Sequence, residues 1–352
     1  MSAGKLRLEE IAGSFARSAA HEFRGSSPLY EKLSMAISED QDLLVLASCA
    51  ISKPVPMIFL AAVHYLLLNG ATHSLAAFYP DIHPEPCVVE QHPYPLFRDF
   101  CIRHSREIEN LITSYHVQTN EVRRCACLLP AFGMAAKQAQ GFPLTLVEIG
   151  ASAGLNLLWD HYGYDYGNGI VYGNRTSPVQ LTCTVRGDRQ PPFPEIFPQI
   201  ASRIGIDLNP IDVRDKSEVN WLMAFIWPEH TARFNLLHHA IEIATNYPPD
   251  LRKGDALDLL PGIMEKAAPD SLLCLFHTFV SNQMSPETCR GMMNCVNEYG
   301  KRRDCCCISI DLTEKYKYPR LELLSYTDGV KNHRHIANCS GHSRWLEWCE
   351  PI

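Results

Sequence analysis

The chain has no basic surplus, no long apolar run and no cysteine pairs at zinc-binding spacing, and each absence removes a class of function. Lys and Arg number 32 against 39 Asp and Glu, a formal charge of −7 at pH 7. No basic stretch offers the footprint of a nucleic-acid duplex, so no nucleic-acid partner is expected. The longest apolar run, Val55 to Leu68, falls short of the roughly 20 residues with which a helix crosses a bilayer. It contains His64 and reads as a core helix, so no membrane partner is expected. Of the 14 cysteines, Cys125 and Cys127 lack a second nearby pair. Cys305, Cys306 and Cys307 are consecutive, and on a strand neighbours point to opposite faces, so they cannot form one ligand set. No metal is expected. The thiols read as reduced and mostly buried, as in a cytoplasmic protein. The opening stretch, MSAGKLRLEEIAGSFARSAAHEF, scatters charges through an amphipathic helical pattern rather than that of a signal peptide. Internal repeats and low-complexity segments are missing too.

With 46% hydrophobic and 20% charged residues over 352 positions, the chain has material for one large α/β domain and an accessory domain. Residues 1–140 carry helical periods and few strand signals, and are expected to form an α-helical accessory or lid domain. Ser27 and Pro28 suit an N-cap and first helical position for SPLYEKLSMAI. His83 to Pro95 is a proline-rich connector. LFRDFCIRHSREIENLITSY and NEVRRCACLLPAFGMAAKQAQ read as helices, with Thr119 or Asn120 as a cap for the second. From Pro143 onward strands and helices alternate. LTLVEIG, PVQLTCTVRG, SLLCLFHTFV and DCCCISIDL read as strands. LNLLWDHY, a long WLMAFIWPEHTARFNLLHHAIEIATNY bent near Pro228, and PETCRGMMNCVNEYG read as helices. LELLSYTDG and RHIANCSGHSRWLEW finish the chain as an antiparallel pair. This alternation argues for a mainly parallel sheet with helices on both faces, over residues 141–352.

The stretch LTLVEIGASAGLNLLWDHY, Leu144 to Tyr162, poses the functional question. In open parallel sheets, ligands bind beyond the carboxyl ends of the strands. Gly150, Ala151, Ser152, Ala153 and Gly154 are all small, so a ligand is expected to approach open main-chain N–H groups there. No Lys-Ser/Thr follows, which argues against a P-loop, and the spacing is not G-x-G-x-x-G. Read as G-x-S-x-G, the turn is instead a nucleophile elbow, with Ser152, Asp311 and His342 in the chain order of an α/β-hydrolase triad. Against this, the preceding residues look helical, no oxyanion segment of the H-G-G-G type precedes the turn, and Glu148 has no work in a triad.

Glu148, Gly150, Ser152 and Gly154 together resemble motif I of class I S-adenosylmethionine-dependent methyltransferases. That resemblance implies a Rossmann-like α/β fold, S-adenosylmethionine as cofactor, small residues against its methionine end, and an acid ordering the loop around its amino group. Asp207 in RIGIDLNPIDV resembles the acid that takes the ribose diol. It lies about 50 residues beyond Gly154, where such an acid normally follows by about 20. Either residues from about 163 to 200 are an insertion, or Asp188 is the counterpart. Asp255 and Ala256 in KGDALDLLP resemble the pair that meets adenine; Asp255 also suits a helix N-cap. SPLY, QTNEVRRC, LVEIGASAGLNL, RIGIDLNPIDV, WLMAFIWPE, GDALDLLP and GHSRWLEW further resemble a mostly bacterial family catalogued only as a domain of unknown function.

Methyl transfer needs alignment and, for an O–H or N–H acceptor, a base. His277, where the fourth strand should end, is the first candidate and His342 the second. Asn282, and Asn120, Glu121 and Arg124 from the helical side, are candidate binders of a small-molecule substrate. No Asn/Asp-Pro-Pro-Tyr signature of base or amide N-methylation is present. The expected function is small-molecule methyl transfer; the alternatives are a serine hydrolase using Ser152, Asp311 and His342, and a non-catalytic nucleotide-fold protein with a binding or regulatory role.

Overall fold

A computed structural model describes residues 3–83 and 92–351; most of the proline-rich connector expected from His83 to Pro95 lies outside them. In chain order the helices α1 to α6 are Ala3–Ser18, Pro28–Ile37, Gln41–Ala47, Val55–Leu68, Tyr94–Arg103 and Ser105–Ser114, followed by α7, Arg124–Gln138. Strand β1 is Leu144–Ile149, then come β2 (Gly163–Asp165), β3 (Val171–Gly173), β4 (Gln180–Thr182), β5 (Thr184–Arg186) and β6 (Ile200–Asp207). Helices α8 (Lys216–Ala224) and α9 (Thr231–Asn246) precede β7 (Asp250–Lys253), α10 (Ala256–Glu265), β8 (Leu272–Thr278) and α11 (Pro286–Gly300). The chain ends with β9 (Cys305–Asp311), β10 (Arg320–Thr327), β11 (Val330–Cys339) and β12 (Trp345–Trp348). Among the described residues no helix is long and apolar enough to cross a membrane, and every described cysteine is free.

Two compact units emerge: residues 1–119 with 214–238, and residues 120–213 with 239–352. The division falls at residue 120 rather than the expected 140, and the first unit regains α8 from the later sequence. The reason at residue 120 is packing: Phe132 of α7 stacks on Trp159 (4.5 Å between ring centroids) and meets Phe276 of β8 edge-on at 5.2 Å. The helical unit is organised by α4, whose Ile58, Phe59, Leu60 and Val63 are buried in its core with Phe15, Phe97, Phe100 and Trp221. His64 within that helix is also buried, with Nε2 2.7 Å from Asp81 and Nδ1 3.1 Å from the carbonyl of Ala224. Ser27 caps α2 as expected, accepting from the Tyr30 N–H. It also donates to Glu229 at 2.6 Å.

The second unit is a mixed α/β fold around a nine-stranded sheet ordered β5-β12-β11-β10-β9-β8-β1-β6-β7. From β9 to β7 every pairing is parallel. Counted along the chain, these parallel strands stand in the order 3-2-1-4-5. All residues of β1 and β8 are buried, as in a sheet covered on both faces. On one face Val147, Ile149, Leu273, Leu275, Cys305 and Cys307 pack against α10 and α11. On the other, α7 and a short 3-10 turn, Leu155–His161, cover Phe276. The expected terminal hairpin is β10 with β11.

The stretch between Gly154 and Asp207 holds four short strands before β6. Strands β2, β3 and β4 form a small separate sheet, and β5 joins the far edge of the large one. Asp188 therefore follows an edge strand with β12 to β8 lying between it and β1, while Asp207 ends β6, the direct neighbour of β1. Several expected elements differ; PVQLTCTVRG, expected as one strand, divides into β4 and β5 of different sheets. LNLLWDHY forms the 3-10 turn rather than an α-helix. The long helix near Pro228 is two, α8 and α9, because Pro has no N–H to continue the ladder. The helix expected over 96–115 breaks at His104 into α5, which begins at Tyr94, and α6.

Candidate functional site

A sheet with this order reverses direction on either side of β1, and the crevice outside its carboxyl edge is where ligands of such sheets sit. Three acids end three adjacent strands there: Glu148 in β1, Asp207 in β6, and Asp255 two residues after β7. Glu148 is buried and stands in register with Phe276, on the α7 face. One of its oxygens accepts from the Asn156 amide at 3.0 Å, and Asn156 also accepts the Cys125 thiol at 3.3 Å. The other oxygen, Oε2, is buried with no hydrogen-bond partner. Burial pushes the Glu148 carboxyl up to about 8; Asn156 and the charge of Arg124 pull it back, and Asp207 adds to the rise. At neutral pH Glu148 is therefore mostly an uncharged acid.

The turn after β1 places Gly150, Ser152 and Gly154 in left-handed backbone, at φ of 70°, 51° and 71°. A Cβ on Gly150 would sit 2.4 Å from Val280, and one on Gly154 2.6 Å from Pro249. Packing thus requires both glycines. The expectation of open main-chain amides is not met. Gly150 and Ala151 donate to the Ile206 carbonyl at 2.8 and 3.2 Å, Gly154 to Ala151 at 2.7 Å, and Leu155 to Asn120 Oδ1 at 3.2 Å. Ser152 N–H donates to Asp207 Oδ2 at 2.8 Å. A turn this tight satisfies its donors internally and on the neighbouring strand, because buried N–H groups left unmade are costly. The main-chain N–H groups of Gly150, Ser152 and Gly154 are thus already bonded within the protein and not open to a ligand, while Gly150 itself is exposed.

Asp207 spends one lone pair of each oxygen on the loop, accepting also from Asn209 N–H at 2.8 Å. A carboxylate has about four acceptor directions, so it retains capacity for two further donors. Asp255 caps α10 through Leu257 N–H at 2.8 Å, and Ala256 is buried as the first helical residue.

The segment before α7 reaches the same edge. Asn120 does not cap α7; its Oδ1 holds Leu155 instead. Glu121 lies 3.3 Å from His342 and accepts from Arg123 N–H. Arg124 donates to Thr278 Oγ1 at 3.1 Å and lies 4.6 Å over the Phe279 ring. So the ends of β1 and β8 and the loop at His342 are joined by residues 120–125. Asn156 and Thr278 carry this arrangement, and nothing in the sequence singles them out; both are ordinary polar residues, and their partners Cys125 and Arg124 come from α7, outside the local motif.

Residues 12–348 match the model of DUF2332, a family described as uncharacterised proteins conserved in bacteria. The chain belongs to this family. No curated protein and no solved structure matches the chain. Its chemistry must therefore be read from the side chains of this DUF2332 member.

Of the two histidines, His277 lies on the other sheet face, in register with Ile149. Its Nδ1 approaches Asp311 to 3.3 Å without the alignment of a hydrogen bond, and its side chain is 6% exposed. Burial holds His277 below its usual pKa, with Asp311 pulling it back; burial also raises Asp311. His342 is 50% exposed and beside Glu121. Asn282 donates to the Leu312 carbonyl at 2.9 Å, tying the loops after β8 and β9. Ser152, Asp311 and His342 do not form one chain: Asp311 faces His277, His342 faces Glu121, and Ser152 Oγ is buried with no partner.

Proposed function

We propose that the chain is an S-adenosylmethionine-dependent methyltransferase of Rossmann-like fold, acting on a small molecule. The observation that carries this reading is the buried Glu148 carboxyl, with one oxygen unpartnered, at the end of the central strand and next to the glycine turn. A buried polar atom without a partner calls for one, and a cationic ammonium is the partner that stabilises the ionised carboxylate. Glu148 would hold the amino end of the cofactor, Asp207 its ribose hydroxyls through the remaining lone pairs, and Ala256 would line the adenine. The cofactor supplies an electrophilic methyl on its sulfonium. The chain's own work is to orient the acceptor and take its proton. His342 would take that proton; its 50% exposure and the Glu121 carboxylate 3.3 Å away favour it over the enclosed His277. Asn120 and Arg124 support this frame, since each is committed to fixing a strand end.

The test is equilibrium binding of S-adenosylmethionine and S-adenosylhomocysteine, followed by assay of S-adenosylhomocysteine release with panels of small acceptors. Binding that Asp207→Ala weakens, with turnover that His342→Asn lowers while binding persists, is the expected outcome. Binding without turnover of any acceptor would favour the regulatory alternative. The hydrolase reading keeps one supporting observation, the left-handed Ser152, a conformation in which strain of about 1–3 kcal/mol is often functional. It lacks a base within hydrogen-bond reach of Ser152 Oγ.

A further inference from the structure

A cavity of about 700 Å³ opens beside Thr145 of β1, Ser202 to Ile204 of β6, and Asp250 and Arg252 of β7, and none of Glu148, Asp207 and Asp255 lines it. The proposed methyl transfer makes no use of it. Its wall carries Arg203 from β6, Arg252 from β7, Lys266 at the end of α10 and His161, with Asp250 as the lining carboxylate. Both guanidinium groups are pre-oriented. Arg203 donates to Asp160 at 2.7 Å and to the Leu157 carbonyl at 3.3 Å. Arg252 donates from Nε and Nη2 to Asp250 at 3.0 and 2.7 Å. A guanidinium has five N–H groups, so each keeps donors beyond those bonds. With Lys266 added, the cations outnumber Asp160 and Asp250. His161 packs its ring 4.4 Å from that of Tyr247 and burial lowers its pKa, so it enters as a neutral ring. The remaining wall mixes apolar Ile204, Ile263, Pro248 and Ala267 with the polar Thr145, Ser202 and Asn246.

We propose that this cavity is a second ligand site, taking a phosphate monoester of a small organic molecule. Fixed guanidinium forks match a phosphate's oxygens bidentately. The volume leaves room for an organic part, which the mixed wall can meet with apolar contacts from Ile204 and Ile263 and hydroxyl or amide contacts from Thr145, Ser202 and Asn246. The site stands independently of the methyltransferase reading.

Calorimetry of the full chain with glycerol 3-phosphate, inorganic phosphate and citrate, at one fixed ionic strength, tests this. The expected result is binding of glycerol 3-phosphate that Arg252→Ala combined with Lys266→Ala weakens about tenfold or more, and that Asp207→Ala leaves unchanged. Lys266 is exposed and Arg252 half-buried, so circular dichroism should show an intact fold. If the double variant does not fold, Arg252→Lys decides, since it keeps the charge and loses the fork; it should still weaken binding. No heat up to roughly 10 mM, far weaker than the millimolar affinity of a minimal site, would overturn the proposal. So would equal affinity in the variants, tighter binding of citrate, or inorganic phosphate binding as well as the ester.

Discussion

Replacing Glu148 by Gln removes a titrating group and keeps its shape, which makes the burial of that carboxyl measurable. The folded-state pKa is about 8, against an ordinary value of 4.5. Below pH 4.5 both folded and unfolded chains hold the proton. Between pH 4.5 and 8 the unfolded chain loses it while the folded chain keeps it. Stability therefore falls as pH rises through this window, by about 1.4 kcal/mol per pH unit, and levels off above about pH 8. Glu148→Gln has no such slope. The amide oxygen can keep the Asn156 bond, while its NH₂ meets no acceptor at the Oε2 position, a cost that does not depend on pH. Urea unfolding of both proteins from pH 5 to 7.5 should show the wild type losing about 3 kcal/mol relative to the variant. Parallel stability curves would refute the argument, because they would mean that Glu148 is solvated or paired in the folded chain.

Asp207→Ala leaves the Ser152 and Asn209 N–H groups without their acceptor, and should cost about 1–3 kcal/mol in urea unfolding at pH 7. Phe132→Ala empties the space between Trp159 and Phe276; a loss of about 3–5 kcal/mol is expected, with Phe132→Leu losing less. Fluorophosphonate should leave Ser152 unlabelled, since its Oγ is buried and has no base; a covalent adduct found by mass spectrometry would favour the hydrolase.

The sequence displayed the parallel sheet clearly where strands are buried on both faces. LTLVEI and LLCLFHT are mostly apolar, and both are neighbouring strands buried along their whole length. Strand β6 is not legible in the sequence. IASRIGID mixes polar residues with apolar ones, because its Arg203 turns out to Asp160 and the strand is only partly buried. A strand so patterned does not announce its end, so residue type alone does not choose between Asp207 and Asp188. The glycine turn was recognisable, but its small residues signalled two different things. They suit a ligand's approach, and they equally suit a turn packed under Val280 and Pro249. Residue type alone cannot separate these, since the atoms that fill the space come from distant segments. The same holds for Asn120, whose polar character suggested a cap on its own helix and whose oxygen instead holds the helical turn after β1. His277 and His342 were both visible as histidines near strand ends; exposure, which depends on the assembled fold, distinguishes them.

The central claim, that the acidic crevice takes S-adenosylmethionine through Glu148, is tested most directly by calorimetric titration of the cofactor at pH 7 in two buffers of different ionisation enthalpy. With a pKa of about 8, Glu148 is about nine-tenths protonated at that pH, and the arriving ammonium should ionise it. The expected result is binding accompanied by release of close to one proton, with the release lost in Glu148→Gln. No binding heat at roughly millimolar cofactor, or binding with the same proton count in wild type and variant, would contradict it.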